Sequence, residues 1–332
     1  MPAQRNRSWP ARLHVVTGKG GTGKTTVAAA LALALAAGGR RTLLVEVEGR
    51  QGIAQLFGID PLPYGERPIA EVTDGGEVRA LAVDPEEALL EYLDMFYKLG
   101  LAGRALQKLG AIDFATTVAP GVRDVLLTGK VKEATTRSEG GRRVYDAVIL
   151  DAPPTGRIGR FLNVTAETAR LAKVGPIKNQ SEGVAAFLRS PMTAVHVVTL
   201  LEEMPVQETA DAIAELAELG ISLGSIIINA ARPPLLTDGR ATSAELRRGL
   251  AAAGLPADRD TVAGLRAEAE AHLTRLAIED GLRTDLAGVG RPMVELPWLA
   301  EGAEWAGQGE PAGLLTLAEA LAASGTREAT LA

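Results

Sequence analysis

The sequence predicts an α/β protein, a mostly parallel sheet flanked by helices, and three observations predict it. Short runs rich in β-branched and aliphatic residues recur along the chain. Most of them lack polar alternation, as strands buried on both faces do. Helix-prone stretches separate them, which is the alternation of a crossover-connected parallel sheet. The strand runs are Leu13 to Thr17, Thr42 to Val47, Val78 to Val83, Val144 to Leu150, Ala194 to Leu200, Ser225 to Ile228 and Met293 to Leu296. Pro205 to Leu219 is the clearest covering helix: proline in its first turn, an apolar stripe of Val206, Ala210, Ile213 and Leu216, and Gly220 as terminator.

Two stretches interrupt the alternation. Residues 85 to 134 are helical in pattern, with Leu89, Leu93, Phe96, Leu99, Leu106, Leu109 and Phe114, and residues 157 to 190 form a second, shorter insertion. The expected organisation is one domain over residues 1–332, with these two insertions forming a helical subdomain beside the sheet. The subdomain reads either as a packed satellite core or dimer surface, or as a groove for an apolar client. Met95, with Met192 at its edge, gives little of the methionine content that suits a promiscuous groove. Residues 232 to 240, punctuated by Pro233, Pro234 and Gly239, read as a surface connection, and the tail after Gly325 reads as disordered.

Composition bounds the chemistry. The chain has 332 residues, 46% of them hydrophobic, enough for a large core. With 0 cysteines it has no disulfides, thiolate zinc sites or cysteine nucleophiles. A net charge of -6 argues against nonspecific nucleic-acid binding, so no nucleic-acid partner is expected. The longest apolar run, Val27 to Ala37, is too short to cross a bilayer and reads as a buried helix. Residues 1 to 10 carry arginines but no apolar segment before a cleavage site, and the expected location is cytoplasmic.

The chemistry starts at Gly18-Lys19-Gly20-Gly21-Thr22-Gly23-Lys24-Thr25-Thr26, between a strand run and a helix run. Gly18 through Thr25 fits G-x-x-x-x-G-K-[ST], whose glycines let backbone amides close around phosphate at the positive end of a helix. Lys24 would reach the β- and γ-phosphates and the Thr25 hydroxyl would hold Mg²⁺. Lys19 is a second lysine where an ordinary nucleotide loop tolerates almost any residue, and in a single chain it is expected to face solvent. Gly18, Gly20 and Gly23 also fit the dinucleotide pattern G-x-G-x-x-G, with Glu46 and Glu48 near the distance of a ribose-binding acid. A dinucleotide turn has no use for lysine and threonine at the helix start. A nucleoside triphosphate does.

Such a site needs a metal-positioning carboxylate at the end of a second buried strand. Asp151 closes Val148-Ile149-Leu150 and is followed by Ala152-Pro153-Pro154-Thr155-Gly156. Gly156 and the turn before it could sense the γ-phosphate through the backbone. His14 and His196 lie inside apolar strands and His272 on a helix stripe with Leu265, Ala269 and Leu276; without a second ligand at metal spacing they read as satisfied core or edge residues. Trp9, Trp298 and Trp305 read as packing residues.

The loop, the Asp151 to Gly156 turn and Arg160-Phe161-Leu162 together resemble the ArsA-type ATPase family, which contains the arsenical-pump ATPase and the tail-anchored-protein targeting factors, within the deviant P-loop ATPases related to MinD and ParA. Asp84-Pro85, Ala119-Pro120-Gly121, Glu208-Thr209 and Asn229 extend the likeness over nearly the whole chain. It is especially similar to bacterial anion-transporting-ATPase-like subunits that occur as pairs of unequal chains. The resemblance implies an ATP- and Mg²⁺-dependent ATPase, working as a homodimer or as a heterodimer with a related subunit, that couples nucleotide state to a partner or client protein. It also implies that Lys19 crosses a two-fold interface to the other subunit's nucleotide, that Asn229 binds the adenine edge, and that the segment from Pro297 walls the base. The alternative is a nucleotide-gated scaffold with little hydrolysis of its own.

Three departures qualify the likeness. Where the family has a catalytic Asp-Pro, counting back from Leu56-Phe57-Gly58 places Glu48-Gly49. Glutamate can still orient a water, but its extra methylene shifts the carboxylate by about a bond length, and misplacement of about 1 Å can cost roughly a hundredfold in rate. Hydrolysis is therefore expected to be slow, or to be carried by a partner. The family's zinc- and arsenite-binding cysteines are absent, and the methionine-rich client groove has no counterpart.

Overall fold

The computed structural model describes residues 9–72, 75–97, 120–164, 176–236, 241–300 and 312–326. The loop strand β1 (Leu13–Gly18) is followed by α1 (Lys24–Ala36), β2 (Arg41–Glu46), α2 (Gly52–Phe57), β3 (Arg67–Val72) and β4 (Gly76–Ala82). Then come α3 (Pro85–Tyr97), α4 (Pro120–Thr136), a small hairpin of β5 (Ser138–Glu139) and β6 (Arg142–Arg143), β7 (Ala147–Asp151), α5 (Thr155–Leu162) and α6 (Pro176–Leu188). The chain continues through β8 (Thr193–Thr199), α7 (Glu203–Glu218), β9 (Leu223–Ala231), α8 (Ser243–Ala252), α9 (Arg259–Gly288), β10 (Met293–Pro297), α10 (Ala312–Leu321) and a short π-helical turn, Ala322–Thr326.

One sheet runs β10-β9-β8-β1-β7-β2-β4-β3, parallel throughout except for the edge strand β3. The unbroken apolar runs have their explanation in the two faces. Val16, Leu44, Ile149, Val198 and Ile227 pack beneath α1 and α10, while Leu13, Val15, Leu43, Val148, Leu150 and Val195 pack against α4, α5 and α6. Val27 to Ala36 of α1 are all buried, so this helix is apolar around its whole circumference.

All seven expected strands form, with ends shifted by up to three residues. Two ends shift by three: β9 runs on from Ile228 to Ala231, and Val144, whose amide instead bonds Arg137 O behind the hairpin, leaves β7 to begin at Ala147. The expected helix Pro205 to Leu219 is α7. Helices α3 and α6 lie within the two insertions, while α4 runs two residues past the first and α5 begins two residues before the second; residues 98–119, which include Leu99, Leu106, Leu109 and Phe114, and residues 165–175 are outside the described residues, as are Trp305 and residues 327–332. Thr326, expected in a disordered tail, belongs to the terminal π-helical turn.

Strand order decides one alternative. In a dinucleotide fold the second strand lies beside the first. Here β7 stands between β1 and β2, pairing with both, so the strand ending at Asp151 is the loop strand's neighbour.

Candidate functional site

The functional candidates collect at the carboxyl ends of the parallel strands, where crevices form in open α/β sheets. Register places Gly18 beside Val198, Asp151 beside Val16 and Glu46, and Pro297 beside Ala231.

The loop is tied down from inside. Thr22 donates its amide and hydroxyl to Lys19 O at 3.3 and 2.8 Å. A Cβ on Gly18 would overlap the Val198 carbonyl oxygen, and one on Gly23, at φ 84, would overlap Asn229 Nδ2. The approach of the Val198 backbone requires glycine at 18, and the left-handed φ requires it at 23. Among the described residues, nothing lies within 4 Å of where a Cβ on Gly20 or Gly21 would stand. Gly23 is the N-cap of α1 and supplies no side-chain cap, and the first turn carries no acidic residue. The amides of Lys24, Thr25 and Thr26 thus start a helix whose positive end is neither capped nor neutralised from within its own first turn.

Across the β1–β7 boundary, Thr25 Oγ1 donates to Asp151 Oδ2 at 2.6 Å. Asp151 is buried, and burial pushes its carboxyl up to about 6, against the Thr25 hydrogen bond and the charge of Lys24. Its Oδ1 is buried and has no hydrogen-bond partner among the described residues. An orphaned carboxylate oxygen beside a hydroxyl suits Mg²⁺, which keeps most of its shell as water and phosphate oxygens. Among the described residues no group of three or more His, Asp or Glu forms an all-protein metal cage.

The segment after β2 lies over the loop. Glu46 is buried and accepts from the Gly52 and Ile53 amides, both at 3.2 Å, so its two oxygens cap α2. That occupation and the strand order together remove the ribose-binding role weighed for Glu46. Gly52 stacks on Thr25, where a Cβ would stand 3.4 Å from Thr25 Cγ2. Gln51, at φ 56, grips Leu62 with both ends of its amide, at 2.7 and 3.2 Å. Between these anchors Glu48 meets Arg157 Nη1 at 3.2 Å and Arg50 Nε at 3.6 Å.

Lys19 does not simply face solvent, as expected for a single chain. Its Nζ is 2.6 Å from Glu208 Oε1, and Glu208 Oε2 accepts from Thr155 Oγ1 at 3.0 Å. Asn229 Nδ2 donates to Thr22 O at 2.9 Å, locking the end of β9 onto the loop. Pro297 ends the neighbouring β10, and Arg232 stacks over the ring of Trp298 at 4.7 Å. Trp298 is 45% exposed, unlike the fully packed Trp9, so the packing role expected of it does not hold.

Sequence reasoning gives no role to Arg157, weighs Glu46 only as a ribose-binding acid, and includes Thr155 only as part of the turn after Asp151. Glu208 was marked by the family likeness alone. Thr17, which donates to Pro153 O at 2.7 Å and ties β1 to the turn after Asp151, carried no signal either.

A parallel sheet with a glycine-rich, lysine-bearing loop on its central strand and an aspartate closing the strand beside it defines a P-loop NTPase fold. Residues 11–188 match the family model described as "Anion-transporting ATPase". ATPase BagA of Mycobacterium tuberculosis is 51% identical over 96% of each chain. ATPase GET3 of Kluyveromyces lactis is 27% identical over 64% of this chain and 70% of its own, and the arsenical pump-driving ATPase of Acidiphilium multivorum is 27% identical over 73% of this chain and 43% of its own. The chain belongs to the anion-transporting ATPase family. Among the described residues, no helix is long and apolar enough to cross a membrane.

Proposed function

We propose that this chain is a Mg²⁺-dependent ATPase subunit that dimerises around bound ATP and couples nucleotide state to a partner or client protein. The observation that carries the reading is the Thr25–Asp151 contact, with Asp151 Oδ1 buried and unpaired beside the open end of α1. Loop amides from Gly18 to Thr26 and the ammonium of Lys24 would hold phosphate, Thr25 and Asp151 would hold Mg²⁺, and Asn229 and Pro297 would border the base. Bound Mg²⁺ would neutralise phosphate charge that develops as the terminal phosphoryl group departs. Glu48 would orient the attacking water. Lys19 would act on a second chain's nucleotide, whether that chain is a second copy or a related subunit.

The reading of a nucleotide-gated scaffold with little turnover draws on one observation: the Glu48 carboxylate is engaged by Arg157 and Arg50 rather than free for a water. Arsenite handling is not carried over, because the chain has 0 cysteines.

Calorimetric titration of Mg·ATP into the parent chain and Lys24→Ala tests the core of this reading. Lysine-to-phosphate bonds are charge-assisted, at about 1.5–3 kcal/mol, so affinity should fall about tenfold to a hundredfold or more. Lys24 is only partly buried, so the melting temperature should hold. Unchanged affinity would remove the assignment.

A further inference from the structure

Glu208 belongs neither to the phosphate loop nor to the turn after β7, yet it holds one residue of each. Early in α7, its Oε1 meets Lys19 Nζ at 2.6 Å and its Oε2 accepts from Thr155 Oγ1 at 3.0 Å. A carboxylate engaged on both oxygens fixes the two donors relative to each other. Further along the same helices, Gly159 lies so close beneath Glu215 that a Cβ there would overlap its carboxylate. Thr155 and Gly159 are one turn apart on α5, and Glu208 and Glu215 two turns apart on α7, so one face of each helix runs along the other. A displacement of the turn from Asp151 to Thr155 would therefore reach Glu208, and through Glu208 Lys19.

While its Nζ is held 2.6 Å from Glu208, Lys19 is kept from any acceptor that lies beyond hydrogen-bond reach of that position. The pair is also built to open: the side chains are 31% and 33% exposed, so water screens the attraction.

We propose that Glu208 is a positioning residue whose carboxylate clasps Lys19 to Thr155 in the single chain, and that movement of the turn beginning at Asp151 opens the clasp and releases Lys19 toward the nucleotide of a second copy. The release step rests on the reading that Lys19 acts across an interface; the clasp does not.

Two measurements test it. The first follows acylation of individual lysines by an amine-selective reagent, resolved by mass spectrometry, on nucleotide-free protein. Losing an exposed ion pair should speed labelling of Lys19 in Glu208→Gln about two- to fivefold, with Lys178 unchanged as an internal standard. Equal rates at Lys19 in parent and variant would overturn the clasp. The second measures, by sedimentation, the protein concentration at which Mg·ATP drives association. Glu208→Gln should lower that concentration, because Lys19 is already free. Thr155→Val should raise it, because the ion pair remains while its link to the moving turn is gone. A merely structural role would shift both variants in the same direction, and that result would overturn the proposal. A parent chain that binds ATP in the calorimeter yet never associates would overturn the cross-interface reading and the release step together, leaving the labelling result to decide the clasp.

Discussion

Glu46 and Asp151 end neighbouring strands in register, and only Asp151 keeps a free oxygen. Both are buried carboxylates at the same edge of the sheet. Glu46 spends its two oxygens on the Gly52 and Ile53 amides and so becomes part of the scaffold that sets the following loop. Asp151 takes one hydrogen bond from Thr25 and leaves Oδ1 unmatched. A buried, unmatched carboxylate oxygen costs stability in the absence of a partner, which gives the site a signature that stability and activity measure in opposite directions.

Asp151→Asn keeps the shape and an acceptor for Thr25 while removing the buried charge. The melting temperature should stay level or rise. ATP hydrolysis should fall at least about a hundredfold, as when a preorganised electrostatic group is lost, and the Mg²⁺ dependence of ATP affinity should disappear. Thermal melts with calorimetry in the presence and absence of Mg²⁺ check both halves. Full Mg²⁺ dependence in the variant would place the metal elsewhere.

Glu48 is the water-orienting residue of the proposed reading, and its side chain reaches Arg157 at 3.2 Å instead of standing clear. Turnover by the purified chain should be slow. Glu48→Asp withdraws the carboxylate by one methylene and should raise kcat, up to about a hundredfold if misplacement alone limits the rate. Glu48→Gln should lower kcat with ATP affinity unchanged. Steady-state kinetics on the two variants decide the matter, since parent rates in both would take Glu48 out of the chemistry.

How much of this was legible follows from which interactions are local. The central strands could be read because both faces are buried, so their residues are apolar without interruption. Edge strand β3 could not: it pairs on one side only, is partly exposed, and carries Pro68 and Glu71 in a composition that resembles a loop. The phosphate loop was legible because its chemistry dictates residue types at fixed spacing. The contacts that position it were not. Lys19 and Glu208 are 189 residues apart, and Glu48 and Arg157 are 109 apart, so helical or strand periodicity cannot pair them. His14 and His196 fall between these cases, since their burial was legible and their mutual contact was not.

That histidine pair makes a pH prediction. The Ser225 amide donates to His196 Nδ1 at 3.1 Å, which leaves the proton on His196 Nε2 to donate to His14 Nδ1, also at 3.1 Å. Trp9 stacks on His196 with ring centroids 5.0 Å apart. Burial lowers His14 to about 4 and His196 well below its ordinary value. Unfolded histidine takes a proton near pH 6.5, so between about 6.5 and 4 the unfolded chain binds protons that the native chain does not. Stability is complete above that window and is lost as pH falls through it, by up to about 1.4 kcal/mol per pH unit for each histidine. His14→Leu should cut the slope by about one histidine's share. Urea unfolding at several pH values measures it, and an unaltered slope would show that His14 does not carry the dependence.

Assembly is the remaining question, and Lys19 is the residue on which it turns. Lys24 already lies at the start of α1, so a second ammonium in the same loop is redundant if one chain completes the site. Among the described residues, its observed partner is Glu208 in its own chain, in a partly exposed pair. Charge on a phosphate shared between two facing sites would attract Lys19 more strongly than one screened carboxylate does. Hydrolysis should therefore rise faster than linearly with protein concentration. Lys19→Ala should bind ATP like the parent, because Lys24 and the loop amides are intact, yet lose about tenfold or more in kcat at concentrations where the parent is saturated. Mixing Lys19→Ala with Asp151→Asn provides a sharper arm, because a mixed pair in which the second chain supplies Lys19 to the first chain's intact metal site should recover activity that neither variant has alone. A strictly linear dependence on protein concentration, with full activity in Lys19→Ala and no recovery on mixing, would establish a site completed within one chain.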